Sequence, residues 1–426
     1  MCQDKEWNDT VKEDSDLIKI LRFYPELDKV KLAELIEVSP PTLYKALDNL
    51  KKRSILNDDT TINSNFGTFM GISIGASFCK VIFLHFDFTE YTEDEFKPFV
   101  EELKKESIIP LEEGNNSEQN YTYVYFKTPD SFSKLKEYLD SIFGVVKRFI
   151  ENDSLDLLSI GISSTGSIDE NNQIICQSHN LPYLDGRTIW DFCFSDKNEF
   201  FQKKHIPLFL LQNSIATAIA EKTKVCQNNI EQKYDNIVTL FLDYGISCGF
   251  VLDGKLFIGT SGFAGEVGHL PISNTIINQL EKIIKDKNFD IQSKCTCGSS
   301  GCIDHIIRSL AFADCEHTFK NMNSKGIADY FERNEEAAKC MGIILGYITN
   351  AIASILNIEL VVFSGKLYKS MPVLRKYIEQ SLDDNSLKFN RRDCKIYASN
   401  IGTMAPAIGA AICSYYKSCD IPIEWI

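Results

Sequence analysis

A chain of 426 residues is too long for one ordinary hydrophobic core, so two or three domains are expected, and a hydrophobic content of 44% is ample to fill them. A net charge of −14 excludes a protein that coats a polyanion, so any contact with nucleic acid must be local. Fourteen cysteines are scattered apart from one cluster, and neither a signal peptide nor a long apolar run is visible; a reducing cytoplasm is expected, without disulfide scaffolding or membrane insertion.

After a polar start, Asp16–Arg22 carries Leu17, Ile20 and Leu21 at helical spacing, and Lys31–Glu37 carries Leu32, Ala33, Leu35 and Ile36. Ser39-Pro40-Pro41 reads as an N-cap with prolines in the first turn, opening a third helix from Thr42 to about Arg53. Leu43, Ala46, Leu47 and Leu50 form its inner stripe, leaving Thr42, Tyr44, Lys45, Asn49, Lys51 and Lys52 outward. A helix-turn-helix with a basic exposed face on an acidic chain is the pattern of a DNA-binding head; a small helical dimerisation or packing module is the alternative. Bases would be read by Thr42, Tyr44, Lys45 and Asn49, and phosphates held by Lys51, Lys52 and Arg53. Asn57–Phe66 is polar and turn-rich, a linker or a short wing.

From Phe69 the sequence changes character. Met70–Ser77 and Val81–Leu84 read as a hairpin of buried strands, and Asp87–Asp130 as an acidic, aromatic insertion with a surface helix near Glu93–Lys105. Ser131–Asn152 is an amphipathic helix with Leu135, Leu139, Ile142, Phe143, Val146 and Phe149 inward. Leu157–Ile162 and Leu208–Leu211 are buried strands, the second leading into an alanine-rich helix, Gln212–Glu221. Ala337–Leu356 is a long apolar helix and Leu360–Gly365 another buried strand, while Ile408-Gly409-Ala410-Ala411 lies on a final helix whose small residues need only close packing to explain them. Strands and helices alternate in two blocks, each opened by a glycine hairpin, which predicts an internally duplicated α/β body.

Between those blocks, Gly265-Glu266-Val267-Gly268-His269 is followed 25 residues on by Cys295-Thr296-Cys297-Gly298-Ser299-Ser300-Gly301-Cys302-Ile303-Asp304. Three thiols within eight residues, glycines that let the backbone fold round a point, and an upstream histidine make four ligands suited to tetrahedral Zn²⁺. Such a set leaves no open coordination position, so the zinc would be structural; three unbonded thiols in a loop are the alternative. Here, and over most of its length, the chain resembles the ROK family of sugar kinases and transcriptional repressors, whose hallmark reads G-E-x-G-H followed by C-x-C-G-x-x-G-C-x-E. Asp304 stands where the family has glutamate.

The resemblance implies a two-lobed α/β, actin-like ATPase (ribonuclease H-like) sugar kinase fold, preceded by an all-α winged helix-turn-helix. It divides the chain into residues 1–64 as the DNA-binding domain, 65–196 with the C-terminal helix 404–426 as a smaller lobe, and 197–403 as a larger lobe carrying zinc. It implies metal ligation by His269, Cys295, Cys297 and Cys302, and sugar contacts from Gly166, Asn180, Asn213, Ser214, Glu266, His269 and Asp304. Gly166 lies in Ser164–Asp169, which is similar to the family's P-G-x-V-D turn; Asn180-Leu181-Pro182 matches its N-L-P segment; Gln212–Glu221 resembles its E-N-D-A-N-A-A-A-L-A-E helix.

Three departures remove kinase chemistry. Ser73 replaces the aspartate of the first phosphate loop, which helps place Mg²⁺. Ser214 replaces the aspartate that takes the sugar proton, and a neutral serine cannot serve as that base at pH 7. Asp243-Tyr244-Gly245-Ile246-Ser247-Cys248-Gly249 stands where the family has G-T-G-x-G-x-G, putting bulk where phosphate needs close backbone approach. The expectation is therefore a non-catalytic, sugar-responsive repressor, a homodimer or dimer of dimers on double-stranded operator DNA, switched by a small-molecule sugar or sugar phosphate. The alternatives are an ATP-dependent sugar kinase of the glucokinase or N-acetyl-amino-sugar kinase type, and a regulator that has lost its sugar as well.

Overall fold

The computed structural model describes residues 11–423 apart from 13, 111, 117–120, 193–194, 229–233, 284–293 and 312–321. Three helices come first: α1 (Ser15–Phe23), α2 (Lys29–Leu35) and α3 (Pro40–Lys52). The helix α2 starts two residues before its apolar pattern does, because the Asp28 carboxylate accepts the free N–H groups of Val30 and Lys31. In α3 the Ser39 hydroxyl accepts from the Thr42 N–H, and both prolines occupy the first turn, where a missing N–H costs nothing. The next segment turns back on itself: Leu56 and Ile62 form one antiparallel bridge, closed by the Asn57 N–H on the Thr61 carbonyl.

The body repeats one sheet order twice. In the first sheet β1 (Thr68–Ile74) and β2 (Phe78–His85) form an antiparallel hairpin, and β5 (Leu157–Ser164) and β8 (Leu208–Gln212) run parallel to β1. On the other side, β4 (Tyr121–Lys127) pairs with β2 and β3 (Glu112–Asn116) with β4. The second sheet has the hairpin β9 (Ile237–Leu242) and β10 (Ile246–Leu252), the parallel strands β12 (Leu360–Gly365) and β13 (Lys395–Ala398), and β11 (Lys255–Phe257) outside β10. A small ribbon of β6 (Ser167–Asp169) and β7 (Ile174–Gln177) follows β5. Two lobes with strands in the same order make this an actin-like, ribonuclease H-like fold.

Two expectations change. Asp87–Asp130 is more than an insertion: β4 supplies the third strand of the repeat, burying Val124 and Phe126, and its alternation was masked by the polar residues before it. The helix within that segment, Glu93–Glu106, is the expected surface helix: its charged face, with Glu93, Asp94, Lys97, Glu101 and Lys104, is exposed, and Phe96, Phe99, Val100 and Leu103 are buried beneath it. Pairing of β8 with β5 also places Leu208–Gln212 in the first sheet, so a division at residue 196 assigns this strand to the wrong lobe.

The lobes meet through two helices, the central one (Asn213–Asn228) and the C-terminal one (Ala405–Ser418). They cross at glycine: a Cβ on Gly409 would lie 1.7 Å from the Ala216 carbonyl oxygen. The C-terminal helix presses equally hard on the first sheet, where a Cβ on Gly161 would come 1.9 Å from the Ala410 oxygen. Such approaches leave no room for a side chain. The helix Glu335–Leu356 is long and apolar enough to cross a bilayer by length and composition, but its Met341, Ile344, Leu345 and Ile348 are buried in the core of the second lobe.

The head is docked on the body. Arg22 of α1 is buried with its guanidinium 3.9 Å from the Phe88 ring centroid and 4.4 Å from that of Tyr415, and it donates to the Phe86 carbonyl at 2.8 Å. Tyr415 belongs to the C-terminal helix, so the apolar core of the head and the end of that helix form one cluster.

Candidate functional site

The seven residues expected to touch sugar, Gly166, Asn180, Asn213, Ser214, Glu266, His269 and Asp304, all line one cavity of about 80 Å³ between the lobes. The chain folds this way locally for three reasons. Gly166 has φ +104°, and a Cβ there would lie 2.4 Å from the Gln177 carbonyl oxygen, so only glycine makes the turn into β6. Asn213 and Ser214 open the central helix, which aims its positive end at the cavity. Glu266 precedes and His269 ends a single 3₁₀ turn, Val267–His269, which keeps both on one side, with His269 Nε2 and Glu266 Oε2 3.9 Å apart.

Three buried polar atoms here have no protein partner: Gln212 Oε1, Asn213 Oδ1 and Ser214 Oγ. Buried polar groups are nearly always hydrogen-bonded, so these mark where a hydroxylated ligand would be received. The other end of Gln212 donates to Glu266 Oε1 at 2.6 Å, and Asn213 Nδ2 donates to the Ile74 carbonyl at 3.1 Å. Asp304 is differently placed. Its Oδ1 accepts from the Ile246 N–H at 2.7 Å and its Oδ2 lies 3.3 Å from Arg308, so it ties the β9–β10 turn to the following helix. Burial raises its carboxyl above the usual range, with Arg308 and the Ile246 N–H pulling the other way.

Behind this wall stand the four candidate ligands. One atom from each of His269, Cys295, Cys297 and Cys302 lies within 4.8 Å of all the others. Cys297 Sγ is 3.5 Å from Cys302 Sγ, and Cys295 Sγ is 3.7 Å from His269 Nδ1. A tetrahedron with bonds of about 2.3 Å has edges of about 3.8 Å, so the group has the size of a Zn²⁺ site. Burial opposes ionisation of Cys297, but hydrogen bonds from Ser299, Cys302 and Cys295 outweigh it and bring the thiol down to about 7. With Nδ1 toward the thiols, the His269 ring presents Nε2 toward Glu266, so a metal would fix the imidazole beside the cavity.

On the head, Thr42, Tyr44 and Lys45 are exposed along α3, and Asn49 is half-buried. Lys51 donates to the Asp58 carbonyl in the turn after α3, and Lys52 pairs with Asp48 at 2.6 Å. Arg53 is exposed at the end of the helix. The cavity also contains His179, which sequence reasoning passed over and which packs edge-on against His269 with centroids 5.4 Å apart; Tyr244, noted in the sequence only as bulk, lies under Arg308 at 5.1 Å. His179 and Gln212 each directly precede a singled-out asparagine, which is the signal that could have found them.

Comparisons with known proteins agree with this architecture. The model of the ROK family matches residues 111–415. The xylose repressor of Bacillus spizizenii is 26% identical over 259 residues, 59% of this chain and 60% of the repressor, and that of Bacillus subtilis is 25% identical over 258 residues with the same coverage. The match thus spans about 60% of the length of these curated relatives. A glucokinase of Halalkalibacterium halodurans is 23% identical over 274 residues, 60% of this chain and 75% of the enzyme. Among solved structures, a ROK family transcriptional regulator described as a homologue of the E. coli MLC protein superposes with a TM-score of 0.67 at 16% identity, covering 96% of this chain and 98% of that one. A ROK family glucokinase from Streptomyces griseus superposes with a TM-score of 0.55 at 16% identity, covering 82% and 99%.

Proposed function

The chain belongs to the ROK family, and from that premise we propose that it is a sugar-responsive, DNA-binding transcriptional repressor whose kinase chemistry is lost. The observation that supports this reading is the coexistence of a three-helix head, its α3 carrying exposed Thr42, Tyr44 and Lys45, with a polar cavity between the lobes in which the Ser214 Oγ has no protein hydrogen-bond partner. A neutral hydroxyl does not itself accept a proton from a sugar at pH 7. The orphaned oxygens of Gln212, Asn213 and Ser214, with Asn180, Glu266 and His269 around them, form the sugar-recognition wall, and Gly166 shapes its turn. Asp304 supports that wall from behind. His269, Cys295, Cys297 and Cys302 hold a structural Zn²⁺ that fixes the imidazole orientation.

Thr42, Tyr44, Lys45 and Asn49 read bases, Lys52 and Arg53 meet phosphates, and Lys51 divides its donors between phosphate and the wing. The protein works in the cytoplasm as a homodimer or dimer of dimers, which matches a two-fold operator with half-sites about 34 Å apart. The cavity of about 80 Å³ is smaller than the roughly 300–1,000 Å³ clefts that hold small ligands. A sugar therefore binds an arrangement with the lobes further apart. The C-terminal helix starts between the lobes and ends against Arg22 of the head, so it carries that change to the DNA-binding helices. Sugar alters operator affinity only by its differential affinity for the two arrangements.

The test is a gel shift against DNA flanking the protein's own gene, with and without pentoses, hexoses and amino sugars, alongside an assay of ADP release. Specific binding released by one sugar, with turnover far below roughly 1 s⁻¹, is expected. Failure to bind any segment more tightly than random DNA at low salt, or sugar-dependent turnover at an ordinary rate, rejects the reading.

A further inference from the structure

Where the turn between β6 and β7, the strand β8 and the end of the C-terminal helix come together, they border a cavity of about 600 Å³. That volume is within the roughly 300–1,000 Å³ of sites that hold small molecules, and the cavity shares no described lining residue with the sugar-type cavity. Half-buried Phe209, buried Ile421 and Pro422 give it an apolar side. Glu170 and Lys417 give it a charged one, with the Lys417 ammonium 2.6 Å from Glu170 Oε2. Exposed Asp420 also lines it and pairs with Lys12, ahead of α1, at 2.6 Å.

The two oxygens of Glu170 differ. Its side chain is nine-tenths buried, yet Oε1 has no hydrogen-bond partner. Polar groups beside it are committed elsewhere. Gln173 Nε2 donates to the Glu170 main-chain carbonyl at 2.6 Å and to the Leu210 carbonyl at 3.3 Å, and Gln173 Oε1 accepts from the Leu210 N–H. The N–H groups of Asn171 and Asn172 both serve the Asp169 carboxylate. A buried ionised oxygen left without a donor costs more than a neutral one, and a carboxylate oxygen is an acceptor only, so a donor is what completes it. The described lining residues carry two carboxylates and one ammonium, which favours a cationic donor. The C-terminal helix ends here, at Ser418, and its negative end adds to that preference.

We propose that this cavity binds a small organic amine, a primary ammonium on an apolar body. The ammonium donates to Glu170 Oε1, and the body lies against Phe209, Ile421 and Pro422. None of these residues belongs to the sugar-type cavity, the zinc group or α3, so the site holds or fails apart from the sugar, metal and DNA readings.

Calorimetric titration of the full chain tests it with 2-phenylethylamine and two ligands of similar shape, the neutral 2-phenylethanol and the anionic 3-phenylpropionate. The amine binds at millimolar concentration or below and about tenfold more tightly than the alcohol, the carboxylate does not bind, and salt weakens the amine. Glu170→Gln keeps the shape of the side chain and removes its charge, which weakens the amine about tenfold, as for one lost charge-assisted hydrogen bond. Lys417→Met frees the same carboxylate from its competing cation and strengthens amine binding. Both variants break one ion pair, so a merely structural role moves both in the same direction. Asp420→Lys changes a side chain that is 90% exposed, keeps the fold, and weakens the amine a few-fold by repulsion even if the other variants do not fold. Absence of amine binding at millimolar concentration, an alcohol within threefold of the amine, shifts of Glu170→Gln and Lys417→Met in the same direction, or an unchanged affinity in Asp420→Lys overturns the assignment.

Discussion

Replacing Arg22 with alanine should loosen the head from the body while the body stays folded. Two rings lie within 4.5 Å of the guanidinium, Phe88 at 3.9 Å and Tyr415 at 4.4 Å. In a desolvated setting each is worth about 1–2 kcal/mol, and the bond to the Phe86 carbonyl, at 2.8 Å, about 1.5–3 kcal/mol. Against this stand Nε and Nη1, which are buried without partners and whose desolvation takes back about 1–3 kcal/mol. The net loss is about 3 kcal/mol, which corresponds to roughly a hundredfold increase in local opening. Hydrogen exchange resolved by peptide is the assay, since a chain of several units has no single unfolding free energy. Amides of α1 to α3 should exchange roughly a hundredfold faster in Arg22→Ala, while those of β1 and β5 keep their protection. Arg22→Lys should fall between, because an ammonium keeps the charge but not the planar stacking. Exchange in the head within threefold of the parent would refute the claim that this residue clamps head to body.

Protein purified without added zinc should contain about one equivalent by metal analysis, and Cys295→Ser should lose most of it and lower the melting temperature. Retention of the full metal content by that variant would remove Cys295 from the ligand set. Glu221 is buried, which pushes its carboxyl up to about 7 although Ser364 and Ser399 donate to it at 2.6 and 2.5 Å. Its folded value lies above the unfolded one, so the native state retains a proton the unfolded chain has released. That contribution is full below about pH 4, is lost as pH rises through about 7, and is worth at most about 3 kcal/mol. Thermal scans from pH 5 to 8 should therefore fall less steeply in Glu221→Gln than in the parent, and parallel curves would contradict this. Gly409→Ala places a methyl 1.7 Å from the Ala216 oxygen, where backbone must move, and should destabilise by about 2–4 kcal/mol in a thermal melt. An unchanged melting temperature would show that the two helices do not interlock there.

The local grammar of this chain was legible without coordinates. Ser39 followed by two prolines fixes the start of α3, alternating apolar residues and glycines announce the hairpin of β1 and β2, and three cysteines within eight residues are close enough in sequence that spacing alone groups them. Each of these features is settled within about ten residues by backbone geometry and the period of the apolar pattern. Tertiary structure decided what lies opposite. Arg22 meets Tyr415, Lys366 meets both Ser77 and Asp243, His179 meets His269, and the polar segment before Tyr121 gives way to a strand the repeated sheet requires. Periodicity tells which face of an element is apolar, but not which distant element will cover it, because that depends on register and on the close approaches that glycines such as Gly409 and Gly161 permit. The same reason hid the larger cleft between the lobes, which Lys80, Lys325, Lys366 and Lys369 line: these lysines come from three separate segments of an acidic chain, and only the closing of two lobes puts them round one space.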